Sequence, residues 1–227
     1  MFDINALWVL EHSILKMGLL MRVFSGRYIR KAYNAWADHY DADFRRNKWN
    51  GPRKLFNVLS GSYDLQRKGT KLLDLGVGTG LLSAEFKRAN PDIHITGIDI
   101  SSGILEECRK KSVVDEMVNA NFEKNGIPCE DESFDAVVSS GVFELINKPR
   151  KVIHEMGRVL RPSGAFSFTV YADSPMDYSC IRHDDDVIEG ALEEAGFEVE
   201  DKQRFYAFNH YGNDIYYNLY TGRKLSR

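Results

Sequence analysis

Cysteine is scarce in this chain: three residues, Cys108, Cys129 and Cys180, stand among 227 at wide, unpatterned spacings. A disulfide framework or a thiolate knuckle needs close, repeated cysteine pairs, so neither is expected. The reading is a reduced, intracellular, cytoplasmic protein without a metal centre. Basic charge is not in excess either. Thirty Lys and Arg meet 33 Asp and Glu, a formal net charge of −3, which removes the overall field that nucleic-acid binding draws on. No apolar run approaches the ~18 residues of a membrane span. Even residues 1–24, MFDINALWVLEHSILKMGLLMRVF, are interrupted by Asp3, Glu11, His12 and Lys16. Ile4, Leu7, Trp8, Ile14 and Leu15 recur there at roughly helical spacing, which predicts an amphipathic helix packed on the domain or, in a homodimer, on a second copy. Membrane-surface attachment and a mitochondrial presequence are the other readings, the latter weakened by the two acids.

What is present is ordinary globular material. A hydrophobic content of 43 % suits one well-buried domain with a modest appendage. We divide the chain into an N-terminal helical cap, 1–60, and a main domain, 61–227, forming one structural unit. Charge is uneven: Arg22, Arg27, Arg30, Lys31, Arg45, Arg46, Lys48, Arg53 and Lys54 outnumber Asp38, Asp41 and Asp43, while Asp184 to Asp201 holds nine acids and no base. Two solvated faces account for this; a basic rim attracting an anionic substrate is the sharper alternative.

From residue 71 onward β-prone runs alternate with helix-patterned segments, as in a parallel α/β sheet. Strands are expected at 71–75, 93–98, 113–118, 134–139 and 164–171, with helices at 80–89, 102–111, 149–160 and 185–195. Two further strands, 197–208 and 214–223, are separated only by Asn209 to Asn213. So short a link cannot hold a crossover helix, and these two must be antiparallel neighbours.

The sequence LLDLGVGTG (72–80) reads as a strand ending at Asp74-Leu75, then Gly76, Gly78 and Gly80 at alternate positions before a helix. Such glycines let a ligand lie against the backbone amides. The dinucleotide fingerprint would place its third glycine at Leu81, so the spacing here is GxGxG and requires no pyrophosphate. Asp99, at the tip of the second strand and followed by Ile100, can accept both hydroxyl protons of a ribose. Ser101 is the better N-cap for the helix that follows. Several adenosine cofactors, nicotinamide ones included, carry such a ribose, so Asp99 alone does not choose among them.

The segment NANFEKNGIPCEDESFDAVVSSGVFELI (119–146) makes the choice. With the glycine loop and Asp99 it resembles the S-adenosylmethionine (SAM)-binding core of class I methyltransferases, whose small-molecule members read roughly DAxxLPFxDxSFDxVxxxxVLEH. Pro128, Asp131, Ser133 and Phe134-Asp135 stand at matching places. The resemblance spans about 71–171. It implies a Rossmann-like seven-stranded sheet, order 3-2-1-4-5-7-6 with strand 7 antiparallel, and SAM as cofactor. It further implies that Asn121 faces the adenine N6 and the Phe122 amide its N1, with Ser139, Ser140 and Gly141 along the sulfonium and methionine chain. The family's usual Asp is Asn at 121, and its His after Glu144 is Leu145. No Asn-Pro-Pro-Tyr-like element is present, which counts against nucleobase methylation. AYNAWADHYDADF (32–44) is similar to the YDxWAxxYDxD box of methyltransferases like the Williams–Beuren syndrome region protein. That likeness implies that Tyr33 and Tyr40 fold over the cofactor, Tyr40 reaching its carboxylate or sulfonium.

On the acceptor side, His39, His210 and Glu144 are the candidates for a general base, each on a segment that can rim the site. The acceptor pocket is expected from the cap, Tyr171 to Arg182, and a hairpin bearing Tyr206, His210 and Tyr211; such an aromatic lining suits a small organic acceptor. His154 is expected to be remote, and the acids after His183 to favour a helix N-terminus rather than a metal. Transfer to a protein and a non-catalytic SAM-fold binding protein are the alternative readings; a nicotinamide oxidoreductase would need the missing third glycine.

Overall fold

The computed structural model describes residues 26–173, 181–210 and 212–226. The proposed helix within 1–24 therefore lies outside the described residues. The chain opens with α1 (Arg27–Trp36), a 3-10 turn (Ala37–His39), α2 (Tyr40–Arg46) and α3 (Gly51–Ser62). Alternation follows: β1 (Lys71–Leu75), α4 (Leu81–Ala89), β2 (His94–Asp99), α5 (Ser102–Lys111), β3 (Glu116–Asn119), α6 (Phe122–Asn125) and β4 (Phe134–Ser139). A second 3-10 turn (Phe143–Leu145), α7 (Pro149–Val159), β5 (Leu160–Asp173), α8 (Asp185–Glu194), β6 (Phe197–His210) and β7 (Asn213–Lys224) complete it.

The strands make one seven-stranded sheet in the order β3-β2-β1-β4-β5-β7-β6. β1 pairs in parallel with β2 and β4, and β7 runs antiparallel to both β5 and β6. Strand alternation explains the two cores. Leu73 and Leu75 face a cluster with Ile153, Met156 and Leu192 of α7 and α8, and Leu72 and Ile95 face one with Leu55, Leu59 and Phe86 of α3 and α4. With both faces covered, β1 is buried at four of its five residues, as parallel strands require. From β1 the chain winds first to β2 and β3, then back to β4 and β5. That reversal opens a crevice at the carboxyl ends of β1 and β4.

The bounds depart from expectation most clearly in three places. β3 starts at Glu116 rather than 113, because α5 ends on Ser112 in the left-handed region (φ 54°) and the Asp115 carboxylate accepts the Ile95 amide at 2.7 Å. β5 begins at Leu160, directly after α7, with a register shift before Ala165. The terminal hairpin is tighter than expected, His210 pairing directly with Asn213.

Candidate active site

Every strand tip at the crevice contributes to one open-mouthed cavity of about 620 Å³, the solvent-open space at its mouth included. Gly76 and Gly78 follow β1, Asp99 and Ile100 end β2, Asn121 and Phe122 follow β3, and Gly141 and Val142 follow β4; Ile29, Tyr33 and Tyr40 roof it. A smaller neighbouring pocket shares Tyr40 and Gly76 and adds Trp49, Asp74, Thr79 and Ser140. Tyr40 stands between the two.

The loop after β1 needs its glycines for conformation, and Gly76 for space as well. Gly76 and Gly78 have φ of 69° and 57°. A Cβ on Gly76 would lie 2.4 Å from Val142 Cγ2, and one on Gly78 would point at the Tyr40 hydroxyl, 3.5 Å away. The Gly78 amide donates to Asp99 Oδ2 at 3.0 Å and the Ser101 amide to Oδ1 at 2.8 Å. Each carboxylate oxygen offers two lone pairs, so one on each remains for a ligand. Burial raises the Asp99 carboxyl while the amides of Ser101, Gly78 and Ile100 oppose the shift. Ser101 caps α5 through its hydroxyl, which accepts the Ile104 amide at 3.1 Å, as its position predicts.

Not every predicted residue reaches the main cavity. Asn121 and Phe122 do, but the Asn121 side-chain oxygen accepts the Lys124 amide at 3.0 Å and caps the short α6. Ser139 is buried below the floor, its hydroxyl donating to the Leu75 carbonyl at 2.8 Å. Gly80 begins α4 and lines neither pocket. Asp74 and Ser140 line the smaller pocket. Burial pushes the Asp74 carboxyl up to about 7 despite a hydrogen bond from Ser83, and the buried Ser140 hydroxyl has no partner.

Of the three base candidates, the structure puts His39 away from the wall. It is exposed at the end of its 3-10 turn, and the following residue, Tyr40, takes the inward position. His210 ends β6, and its side chain lies outside the described residues, as does Tyr211. Glu144 is buried directly behind Gly141. Its Oε1 accepts the Tyr217 hydroxyl at 2.6 Å, its Oε2 has no partner, and burial pushes the carboxyl up to about 7. The Tyr40 phenol is raised by burial and then by the Asp99, Glu144, Asp41 and Asp74 carboxylates, so it stays protonated and can only donate strongly.

Sequence reasoning misplaced one hairpin residue, Tyr206. Tyr206 is exposed and packs on Tyr216, on the outer side. The inward ring is Tyr217, which meets Trp49 at 5.2 Å between centroids. Trp49 continues through Phe44 to Tyr40 at 5.9 and 4.4 Å, so one run of rings joins the roof to β7. Asn50, next to Trp49, donates its backbone and side-chain amides to the Ala207 and Tyr206 carbonyls of β6. No local motif marks Trp49; its partners lie far along the chain. Glu123, also missed, lines the cavity while accepting the Asn147 and Lys148 amides that open α7.

The expected bystanders are elsewhere. His154 is exposed beside Glu194. His183 places Nε2 3.0 Å from the Phe143 carbonyl, and burial lowers its pKa. Asp185 and Asp186 occupy the first turn of α8. Of the segment Tyr171 to Arg182, residues 174–180 lie outside the described ones.

A carboxylate with two open lone pairs at the β2 tip, amide-lined glycines, and no lysine or arginine on either described wall suit a ribose joined to a cationic, sulfonium-like group. Comparison with known proteins agrees. Residues 73–168 match the methyltransferase domain family. A malonyl-[acyl-carrier protein] O-methyltransferase of Priestia megaterium is 27 % identical over 161 residues, covering 68 % of this chain and 56 % of that protein. The chain spans about half the length of the curated relatives it matches. Among solved structures, a chain from the complex of the Haloferax volcanii Trm112 methyltransferase activator with a methyltransferase aligns at a TM-score of 0.69 and 18 % identity, covering 86 % of this chain and 98 % of that one. Magnesium protoporphyrin IX methyltransferase of Synechocystis, with bound SAM, aligns at 0.68 and 14 %, covering 88 % and 96 %.

Proposed function

We propose, from the premise that this chain carries a class I SAM-dependent methyltransferase domain, that it moves a methyl group from SAM to a small organic acceptor. The observation that carries this reading is the cavity at the sheet's reversal, where Gly78, Asp99 and Asn121 stand under a roof made by Tyr33 and Tyr40. Bound SAM supplies a methyl group on a sulfonium, whose thioether leaves as a neutral product. We assign Asp99 to hold the ribose hydroxyls, Asn121 and Phe122 to flank the adenine, and Tyr40, with Asp74 and Ser140 beside it, to hold the methionine end. A ring face near a sulfonium is worth ~0.5–2 kcal/mol by cation–π attraction.

In-line transfer to an activated methyl needs no protein nucleophile. Alignment supplies most of the effect, up to ~7–11 kcal/mol for well-oriented reactants. The roof of α1 and α2 excludes water that would compete with the acceptor. We assign no general base: Glu144 is buried behind Gly141 with its Oε1 held by the Tyr217 hydroxyl, and it lines neither pocket. His39 is exposed and lines neither pocket either.

The test is methyl-labelled SAM incubated with the protein and fractionated cell extract. Label in a small-molecule fraction is expected. Label in precipitated protein would support transfer to a protein instead. SAM binding without transfer to any fraction would favour a non-catalytic binding protein, a reading that Asn121 and Leu145 motivate.

A further inference from the structure

Asn121 turns a donor, not an acceptor, toward the cavity. It stands at the N-cap of α6 in extended backbone, φ −93° and ψ 90°, and its Oδ1 accepts the Lys124 amide at 3.0 Å. That bond decides which way the side-chain amide faces, because Nδ2 in the same place would set a donor against a donor. Nδ2 is therefore turned the other way, to the wall that Gly26 and Ile100 share with Asn121. A Cβ on Gly26 would lie 2.5 Å from Nδ2, 3.4 Å from Ile100 Cδ1 and 3.7 Å from Asn121 Cγ, and no closer to Oδ1 than that. An aspartate at this position would cap the helix with one oxygen and keep the other as an acceptor for a ligand. Asparagine has a single oxygen, and the helix holds it.

We propose that Asn121 reverses the hydrogen-bond polarity at the purine edge: Nδ2 donates to a ring nitrogen, and the exocyclic 6-amino group of SAM gains no acceptor from this side chain. The proposal rests on the reading that the purine lies against Asn121 and Phe122. An amide NH2 and an amino NH2 facing each other cannot bond, so the base settles with an acceptor nitrogen toward Nδ2. Glu123, the carboxylate next along the chain, lines the same cavity, and its Oε1 already takes the Asn147 and Lys148 amides at 2.6 and 2.8 Å. A buried site built around an NH group rejects analogues that lack it. This site is not built in that way, and its selectivity falls on the ring nitrogens and the ribose.

The experiment is calorimetric titration of the full chain with S-adenosylhomocysteine and with its analogue carrying hydrogen in place of the 6-amino group, which keeps every ring nitrogen. Wild type is expected to bind the two within about fivefold, since no strong hydrogen bond is lost with the amino group. Asn121→Asp keeps the cap, because the two residues cap equally well, and adds a charged acceptor. That variant is expected to prefer the 6-amino compound by about tenfold or more, with the melting temperature of wild type. A larger wild-type preference for the 6-amino compound would place an acceptor at that group, with Glu123 the first candidate, and would overturn the inference. So would the wild-type ratio in Asn121→Asp. Failure of wild type to bind either compound would overturn the SAM reading itself, and the inference with it.

Discussion

Asp99 lines the cavity with its carboxylate fixed by the Gly78 and Ser101 amides, and we propose that it holds the ribose hydroxyls. Asp99→Ala is expected to weaken SAM at least tenfold, about 1.4 kcal/mol or more, in calorimetry, with the domain still folded. Unchanged affinity would remove the ribose from this position. Glu144 is the other residue whose setting predicts behaviour. Its folded-state pKa of about 7 lies above the ordinary carboxyl value of 4.5, so folding takes up a proton between those limits. The stability it contributes is full below pH 4.5 and is lost as pH rises through 7, by about 3 kcal/mol at most. Glu144→Gln should therefore be more stable than wild type at pH 8, the gap closing toward pH 5, in denaturant melts at the two values. Equal pH slopes for both proteins would contradict the placement of this carboxyl in the interior. The Ser101 cap was legible because a serine between a strand tip and a helix is a strong N-cap signal. The hold on the Asn121 oxygen was not, because α6 is a four-residue helix too short to show periodicity.

Among the elements, the loop after β1 and the aromatic run set the sharpest constraints. Gly76→Ala brings a Cβ into Val142 at a positive φ and is expected to cost about 1–3 kcal/mol, read as a lower denaturation midpoint. A midpoint matching wild type would mean that the loop is not packed in this way. Trp49→Ala breaks the link from Phe44 to Tyr217 and Phe208. A loss of about 2 kcal/mol is expected, below the full cost of a buried tryptophan because the ring is only partly covered; no loss would show that the roof is held elsewhere. The strands of the parallel part were legible because each is a short apolar run between glycine, proline or capping signals. The start of β3 was misplaced because Val113 and Val114 are as β-prone as the strand itself, while the chain is still turning out of α5. The hairpin's inward ring was missed because alternation says which residues share a face, not which face meets the core. A bulge between Tyr206 and Phe208 shifts that phase once more.

For the whole molecule, one local fact, a link too short for a helix before the last strand, made the last two strands antiparallel neighbours. The full order, with β7 between β5 and β6, followed from the resemblance rather than from that link. The place of the roof over the site followed from the likeness of 32–44, but its pins did not, because they are distant in sequence: Asn34 accepts the Gly103 amide at 3.0 Å, Thr79 donates to Asp41 at 2.5 Å, and Asn50 reaches β6. These pins hold the roof over the crevice in which we propose that SAM binds. The direct measurement is calorimetric titration of the full chain with SAM, with NAD as the control. One SAM site per chain and no heat with NAD is the predicted outcome; binding of NAD, or no binding of SAM, would contradict the account.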